Sequence, residues 1–557
     1  MTPEPYALTL AGAIDALSSG ALSCTELTQS LLDRIDATDA NVQAWAWLDR
    51  EHTLAAARAL DARRTAGAGS RLEGVPIGVK DIVATAGMPT QMGSPIYAGA
   101  TPARDAECIA RLHRAGGMVM GKTVTTEFAF MQPGKTRNPW NTACTPGGSS
   151  SGSAAAVALG QVPAAIGTQT NGSVIRPAAY CGVVGFKPSK DLLPFAGVQR
   201  FSSTLDTLGV FARTVADCAL LADVLGEGAI APAEDSLQVP PVLACLPEFP
   251  WVAISSEQRE ALDTAATVLR NAGARVTTLA LPPACSDAPT QLRRIMLHEA
   301  VRELGTSQVR ERGRMSAKLN AALDEGRAIG ESAYSDAMAR RDEIINALTD
   351  WLAGFDAVLT PPAPGPAPQD LTQTGDAACC SLWSLAGFPA LTLPIALAPS
   401  GLPLGMQLAA PAQLRRIMLH EAVRELGTSQ DRERGRMSAK LNAALDEGRT
   451  IGEPAYADAM VRRTEIIAAL TDWLAGFDAV LTPPAPGPAP QDLTQTGDAA
   501  CCSLWSLAGF PALTLPIALA PNGLPLGMQL AAPALHDQRL VAVGKWCELR
   551  LPFRGLV

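Results

Sequence analysis

The chain has 557 residues, of which 47% are apolar and 18% charged, and this composition indicates a large folded core and excludes an intrinsically disordered protein. The formal net charge of -9, without a basic block, argues against nucleic acid or an anionic membrane as a partner. The N-terminus lacks a recognisable secretory signal, and the twelve cysteines form no Cys-x-x-Cys array. We therefore expect a cytoplasmic protein without a bound metal.

Helical and strand-like patterns alternate along the first 290 residues, and this alternation predicts an α/β fold. Helical spacing covers residues 25–48, 55–67, 153–160 and 256–273. Short buried strands are predicted within residues 72–85, 116–127, 240–249 and 274–282.

An uncharged run of 38 residues, Ala377–Leu414, resembles a membrane span only in its length. Prolines at positions 389, 394, 399, 403 and 411 would break any helix that crossed a bilayer. We predict instead two buried strands, at residues 390–397 and 403–410, joined by a tight turn.

The C-terminal half contains a long internal repeat, since residues 291–412 recur as residues 413–534 with eight differences. A unit this long and this similar indicates tandem duplication rather than a solenoid. We predict one domain of 435 residues, made of residues 1–290, one copy of the repeat, and a closing helix at 535–557. The second copy is then redundant, and the sequence leaves open which copy packs against residues 1–290.

Two short motifs match patterns that we do not accept. Residues 116–123, "GGMVMGKT", fit the phosphate-binding loop, but Met118 to Met120 have the character of a strand rather than of a glycine-rich turn. Residues 148–152, "GSSSG", fit the nucleophile elbow of Ser-His-Asp hydrolases, but a loop rather than an apolar strand precedes them. Only five histidines are present to supply a base for such a triad.

The long stretch from Pro146 to Ser189, "PGGSSSGSAAAVALGQVPAAIGTQTNGSVIRPAAYCGVVGFKPS", resembles the signature region of the amidase signature family of serine hydrolases. The segments "GVPIGVKDIVATAGMPTQMGS" and "FPALTLPIALAPNGLPLGMQLAAP" resemble other strands of the same family. The resemblance implies a large mixed β-sheet between helix layers, and an enzyme that needs no metal or organic cofactor.

The resemblance also implies a catalytic triad, formed by Ser173 as nucleophile, Ser149 as bridge and Lys80 as base. A serine hydroxyl needs a neighbouring base to become nucleophilic, and a buried lysine can be that base because desolvation disfavours its ammonium form. In the family the peptide bond before the bridging serine, here Gly148–Ser149, is cis. Of the nearby serines 150, 151 and 153, we expect most to bond the backbone, with Ser150 a further candidate partner of Lys80.

The oxyanion hole implied by the resemblance consists of the backbone N–H groups of Thr170, Asn171, Gly172 and Ser173. Asn171 departs from the family pattern, which has glycine at this position. Asparagine is the residue best able to replace glycine at a positive φ, so we expect the loop to persist. Its side chain would then lie near the substrate carbonyl.

Three residues are candidate substrate contacts. Arg176 occupies the position at which malonamidase-like members of the family hold a carboxylate, although a buried structural ion pair would explain an arginine there equally well. Phe128 and Met131 lie in a short apolar loop at residues 125–141, which resembles that of stand-alone amidases. This loop favours a small amide or carbamate (urethane) as the substrate.

Two other functions remain open. The first is the glutaminase (A) subunit of a tRNA-dependent amidotransferase, which would require partner subunits and has a longer polar insertion in place of the loop at residues 125–141. The chain could also be a binding protein in which Asn171 has disabled the oxyanion hole, although the retained triad argues against this. We expect a small-molecule substrate, no nucleic-acid or membrane partner, and a homodimer as one possible assembly.

Overall fold

The computed structural model describes residues 4–63, 70–228, 240–352 and 354–410, together with three strands near the C-terminus. Its strands are β1 (Trp45–Trp47), β2 (Pro76–Lys80), β3 (Met118–Thr123), β4 (Ala164–Gln169), β5 (Val184–Lys187), β6 (Thr207–Ala212), β7 (Val242–Cys245), β8 (Arg275–Thr278), β9 (Ala357–Thr360), β10 (Ala390–Leu397), β11 (Pro403–Ala409), β12 (Leu481–Thr482), β13 (Thr514–Leu519) and β14 (Pro525–Leu530).

The described residues also form α-helices. These are α1 (Leu10–Ser18), α2 (Cys24–Thr38), α3 (Arg50–Arg63), α4 (Glu107–Arg114), α5 (Ser151–Ala158), α6 (Ile175–Cys181), α7 (Val215–Leu225), α8 (Ser256–Asn271), α9 (Ala288–Glu311), α10 (Ala317–Ala328), α11 (Glu331–Trp351) and α12 (Ala378–Ala386).

Eleven strands form one mixed sheet in the order β1-β3-β2-β4-β6-β5-β10-β11-β9-β7-β8. Strand β2 runs parallel to both β3 and β4. The next four pairs in the sheet, β4–β6, β6–β5, β5–β10 and β10–β11, are antiparallel. Helices α5, α6, α7 and α8 pack on the strands of this sheet. The predicted α/β class with a large mixed sheet is confirmed.

The central strands carry almost no charge because their side chains are buried on both sides of the sheet. All residues of β2, β3, β4 and β6 are buried. Met118 to Met120 lie inside β3, which confirms that the "GGMVMGKT" match is a strand and not a phosphate-binding loop.

The helix predicted to reach residue 48 ends ten residues earlier, at Thr38. Asp39 stops it, because its carboxylate accepts a hydrogen bond from the N–H of Ala44, and Gln43 has a positive φ of 57°. The chain then enters β1, which pairs antiparallel with β3. Trp45 and Trp47 are two residues apart, which is the period of a strand and not of a helix, so the helical prediction extends past the point where the pattern changes.

The strands near the C-terminus belong to the second copy of the repeat and form a separate sheet in the order β12-β14-β13. The pair Leu481–Leu530 corresponds, at the repeat offset of 122, to the pair Leu359–Leu408 of the first copy. The second copy thus reproduces the register of β9, β10 and β11. The chain divides into two compact units, one of residues 1–411 with 540–557 and one of residues 412–539. The predicted closing helix at 535–557 lies outside the described residues.

The apolar run from Ala377 forms helix α12 and strands β10 and β11, as its prolines predict for the two strands. Within the part of the chain that the structure describes, no helix is both long and apolar enough to cross a membrane.

Candidate active site

Lys80 is the last residue of β2 and has no solvent-exposed surface. Its Nζ lies 2.7 Å from Ser149 Oγ and 2.8 Å from Thr168 Oγ1, at the end of the neighbouring strand β4. The parallel pairing of β2 with β4 brings these two strand ends together. Within the described ranges, no carboxylate contacts this buried lysine, and its two partners are hydroxyl groups. Such a lysine is poised to exchange a proton rather than to hold an ion pair.

The electrostatics of Lys80 follow from this burial. Removal from water drives the pKa of Lys80 well below its ordinary value of 10.5, because the apolar surroundings disfavour the ammonium form. The carboxylate of Asp206 opposes this effect and raises the pKa of Lys80. Lys80 therefore becomes a neutral amine at a lower pH than an exposed lysine does.

Ser149 follows a cis peptide bond from Gly148, as the family resemblance implies. The turn before it depends on Gly147, whose φ is 83°, and a Cβ on this residue would lie 2.7 Å from the Cα of Pro177. Helix α5 begins two residues after Ser149, and Ser149 itself is buried.

The other serines of this stretch bond the backbone, as expected. Ser151 Oγ donates to the carbonyl of Val124, and Ser153 Oγ donates to that of Ile166. Ser150 Oγ bonds the backbone of Thr168 rather than Lys80, so its expected contact with Lys80 is wrong. The partner of Lys80 at this position is the side chain of Thr168.

Residues 170–173 form a short loop between β4 and α6 that ends at Ser173, which is 6% exposed. Gln169 holds the far side of the loop, because its Oε1 accepts hydrogen bonds from the N–H groups of Val174 and Ile175 at 2.8 and 3.0 Å. Among the described residues, the N–H groups of residues 170–173 have no hydrogen-bond acceptor. Unpaired amides beside a serine are what an oxyanion hole requires.

Arg176 connects this loop to the cis peptide. Its Nη2 donates to the carbonyl of Gly148 at 2.7 Å and to Thr374 Oγ1 at 3.2 Å. Its Nη1 lies 3.3 Å from the position that a Cβ on Gly172 would occupy, and Gly172 has a φ of 75°. The segments that carry Ser149 and Ser173 are therefore neighbours around one buried guanidinium.

A family model for amidases matches residues 26–414 and, a second time, residues 414–541. This chain belongs to the amidase signature family. It is accordingly an enzyme of the C–N hydrolase type. The two matches overlap the two copies of the repeat, so the second copy carries the family's C-terminal pattern again.

Similar proteins include the A subunit of glutamyl-tRNA(Gln) amidotransferase from Roseiflexus castenholzii, which is 35% identical over 463 residues, or 74% of this chain and 94% of that protein. A crystal structure of an amidase is 30% identical, with a TM-score of 0.66 over 72% of this chain and 96% of the other. The native peptide amidase from Stenotrophomonas maltophilia is 29% identical, with a TM-score of 0.63 over 73% and 94% of the two chains.

Asn171, the departure from the family's glycine, does not adopt the positive φ expected of it; that φ belongs to Gly172. The Asn171 side chain instead contacts α12, where its Nδ2 donates to Ser381 Oγ at 3.2 Å. The same hydroxyl lies 3.3 Å from Asn171 Oδ1. In this amidase the loop at residues 170–173 is thus tied to the first copy of the repeat.

The predicted substrate contacts Phe128 and Met131 lie in different surroundings. Phe128 has no exposed surface and packs edge-on against Tyr97, with ring centroids 5.8 Å apart. It supports the loop from within the core, and its contact with a substrate stays a prediction. Met131 is 49% exposed, and no described contact joins it to Ser173.

Sequence reasoning missed Thr168, Asp206 and Ser381 as neighbours of the site. A usable signal existed for Thr168, because "GTQT" places hydroxyls and an amide at the end of an otherwise apolar buried strand. No local signal marks Ser381, which lies in helix α12, 210 residues after the Asn171 that it contacts.

Proposed function

We propose that this chain hydrolyses a C–N bond of a small amide through a nucleophilic Ser173, a bridging Ser149 and a basic Lys80. The observation that carries the proposal is the buried contact of 2.7 Å between Lys80 Nζ and Ser149 Oγ. A base must be deprotonated to act, and burial lowers the pKa of Lys80 in the direction that this role requires.

In the proposed reaction Ser173 Oγ forms a bond to the carbonyl carbon as its proton moves to Ser149, and the proton of Ser149 moves to Lys80. The resulting tetrahedral oxyanion accepts hydrogen bonds from the free amides of residues 170–173. Lys80 then returns its proton through Ser149 to the departing nitrogen, and the C–N bond breaks. Water releases the acyl group from Ser173 by the reverse proton path.

Arg176 is the observation that favours a substrate with a carboxylate on its acyl part, because its guanidinium could bind that group. Arg176 is 5% exposed, and its Nε has no hydrogen-bond partner. Among the described residues it forms no ion pair, although the carboxylate of Asp376 acts on it electrostatically. The alternative of a structural ion pair therefore lacks a partner in the described part of the chain. A buried guanidinium with free donors binds a carboxylate strongly, since charge-assisted hydrogen bonds gain strength away from water.

Amine release from a matched substrate set tests this proposal. We expect the 4-nitroanilide of succinic acid, which has a free carboxylate, to be cleaved about tenfold or more efficiently than that of butyric acid. Arg176→Gln should remove this preference, although it lowers both rates by disturbing Gly148. The ratio of the two kcat/KM values is the readout, and a preference that persists in the variant would contradict the role of Arg176. An aryl carbamate in the same assay tests the predicted urethane cleavage.

The second candidate is the glutaminase subunit of an amidotransferase, and the curated relatives favour it over carbamate cleavage. Glutamine contains both a primary amide and a carboxylate, so it also has the group that Arg176 is proposed to bind. The loop at residues 125–141 is short and apolar, which favours a stand-alone enzyme. Ammonia release from glutamine separates the stand-alone enzyme from the glutaminase subunit. It is measured with the isolated chain and again in the presence of amidotransferase B and C subunits.

The second copy of the repeat is proposed to be dispensable, because every candidate residue lies between Lys80 and Ser381. Deleting residues 413–534 joins Ala412 to Leu535 and so recreates the natural junction of Ala534 with Leu535. We expect this chain of 435 residues to keep its amide hydrolysis within about twofold. Deleting residues 291–412 is the matched control and should also leave an active enzyme, since the copies differ at eight positions. Loss of activity on removing 413–534 alone would show that the second copy is required.

A further inference from the structure

Asp206 precedes β6 and is only 3% exposed, which is unusual for a carboxylate. Its Oδ1 accepts a hydrogen bond of 2.6 Å from Thr170 Oγ1. Its Oδ2 accepts bonds of 2.7 and 3.0 Å from the N–H groups of Phe201 and Ser202. All of these partners donate, which is the arrangement that an ionised carboxylate needs when it is buried.

The segment that carries Asp206 is fixed to helix α9. Glu299, which is 1% exposed, accepts hydrogen bonds from the hydroxyl groups of Ser202 and Thr204 and from the N–H of Thr204. It also accepts one from the hydroxyl of Tyr334 in α11. These hydrogen bonds fix the segment before β6, and the bond from Thr170 to Asp206 connects the loop at residues 170–173 to that segment.

We propose that Asp206 is a positioning residue of the hydrolytic site, which holds the start of the oxyanion loop through Thr170 and provides the buried negative charge that acts on Lys80. The inference rests on the proposed function of Ser173, Ser149 and Lys80. It assigns a role to a carboxylate that does not touch the reacting atoms.

The charge on Asp206 matters because Lys80 becomes an ammonium during the reaction. Ser149 and Thr168, which contact Lys80, are neutral. Asp206 accepts a hydrogen bond from Thr170, two residues after the Thr168 that contacts Lys80, and its negative charge raises the pKa of Lys80. Burial raises the pKa of Asp206 itself, while the hydrogen bonds from Thr170, Phe201 and Ser202 and the charge of Lys190 lower it. Without the carboxylate, a proton on Lys80 would have no opposite charge to stabilise it in the buried site.

Asp206→Asn tests the electrostatic part with little change of shape. The amide oxygen can keep the bonds from Phe201 and Ser202, while the amide NH₂ donates to the Thr170 hydroxyl with the bond reversed. Loss of the charge removes a stabilisation of protonated Lys80 and so lowers its pKa. We expect the acid limb of the pH profile of kcat/KM, which reports the deprotonation of Lys80, to move to lower pH. A residue that only supports the fold would change the height of the profile and leave the limb in place.

Thr170→Val and Thr170→Ser test the positioning part. The valine variant removes the hydroxyl that bonds Asp206, and we expect kcat/KM to fall on the order of tenfold or more. The serine variant restores the hydroxyl and should return kcat/KM to within about threefold of the parent enzyme. The acid limb should stay in place in the serine variant, because it keeps the hydroxyl bond that lowers the pKa of Asp206.

The outcomes separate this inference from the proposed function. If the parent enzyme hydrolyses the anilides and Ser173→Ala does not, the function stands whatever the Asp206 variant does. An acid limb in Asp206→Asn that coincides with that of the parent would overturn the electrostatic role. Equal activity of Thr170→Val and Thr170→Ser would overturn the positioning role, and this pair decides the matter if Asp206→Asn does not fold.

Discussion

Replacing Ser173 by alanine is expected to abolish amide hydrolysis, with kcat/KM falling on the order of 10⁴- to 10⁶-fold. The variant removes the atom that would form the acyl-enzyme. Ser173 is 6% exposed and alanine is smaller, so the folded structure should persist. Product release under single-turnover conditions measures the loss, and thermal unfolding measured alongside it checks the fold.

Ser151→Ala is the matched control for that experiment. Ser151 is also a buried serine of the signature stretch, but its hydroxyl only donates to the carbonyl of Val124 at 3.2 Å. That carbonyl keeps a second partner, the N–H of Gly152 at 2.9 Å. We expect its kcat/KM to stay within about threefold of the parent enzyme. Similar losses in Ser151→Ala and Ser173→Ala would argue that Ser173 matters for packing and not as a nucleophile.

Replacing Lys80 by methionine is expected to lower kcat/KM on the order of 10²- to 10⁴-fold, the usual contribution of a general base. In the parent enzyme, kcat/KM should rise with pH and reach its plateau below 10.5, the ordinary pKa of lysine, because burial lowers the pKa of Lys80. The methionine variant should lose this acid limb. A parent profile that still rises through pH 10.5 would contradict a buried neutral lysine as the base.

The lowered pKa of Lys80 also predicts how the free energy of unfolding changes with pH in the parent and in Lys80→Met. Because the pKa of Lys80 is lower in the folded than in the unfolded protein, the unfolded chain binds more protons between these two values. The free energy of unfolding of the parent should therefore rise with pH across this window. The stability of Lys80→Met relative to the parent should therefore be highest at low pH, fall across this window and become constant above the pKa of an unfolded lysine. Denaturant unfolding at several pH values measures it.

The sequence predicted much of the site because its key residues lie in short, distinctive segments. Lys80 stands in an apolar strand, and the serines stand in a long uncharged stretch, so the family pattern could be matched residue by residue. The strands β10 and β11 were also predictable, since their prolines exclude a membrane helix. The wrong predictions concern the contact of Ser150 with Lys80, the φ of Asn171 and the helix extended to residue 48, because each depends on what packs against that segment.

By itself, the sequence determined the α/β class and the repeat, because these follow from local spacing and self-similarity. The residues that carry the proposed chemistry followed from the resemblance of their segments to the amidase signature family. The tertiary structure alone decided which groups surround Lys80. Thr168 reaches it through the pairing of two parallel strands, and Asp206 lies 126 positions along the chain from it. Burial and electrostatic contact depend on distances in space, and no local pattern of residues records the distance between strands that meet only in the folded sheet.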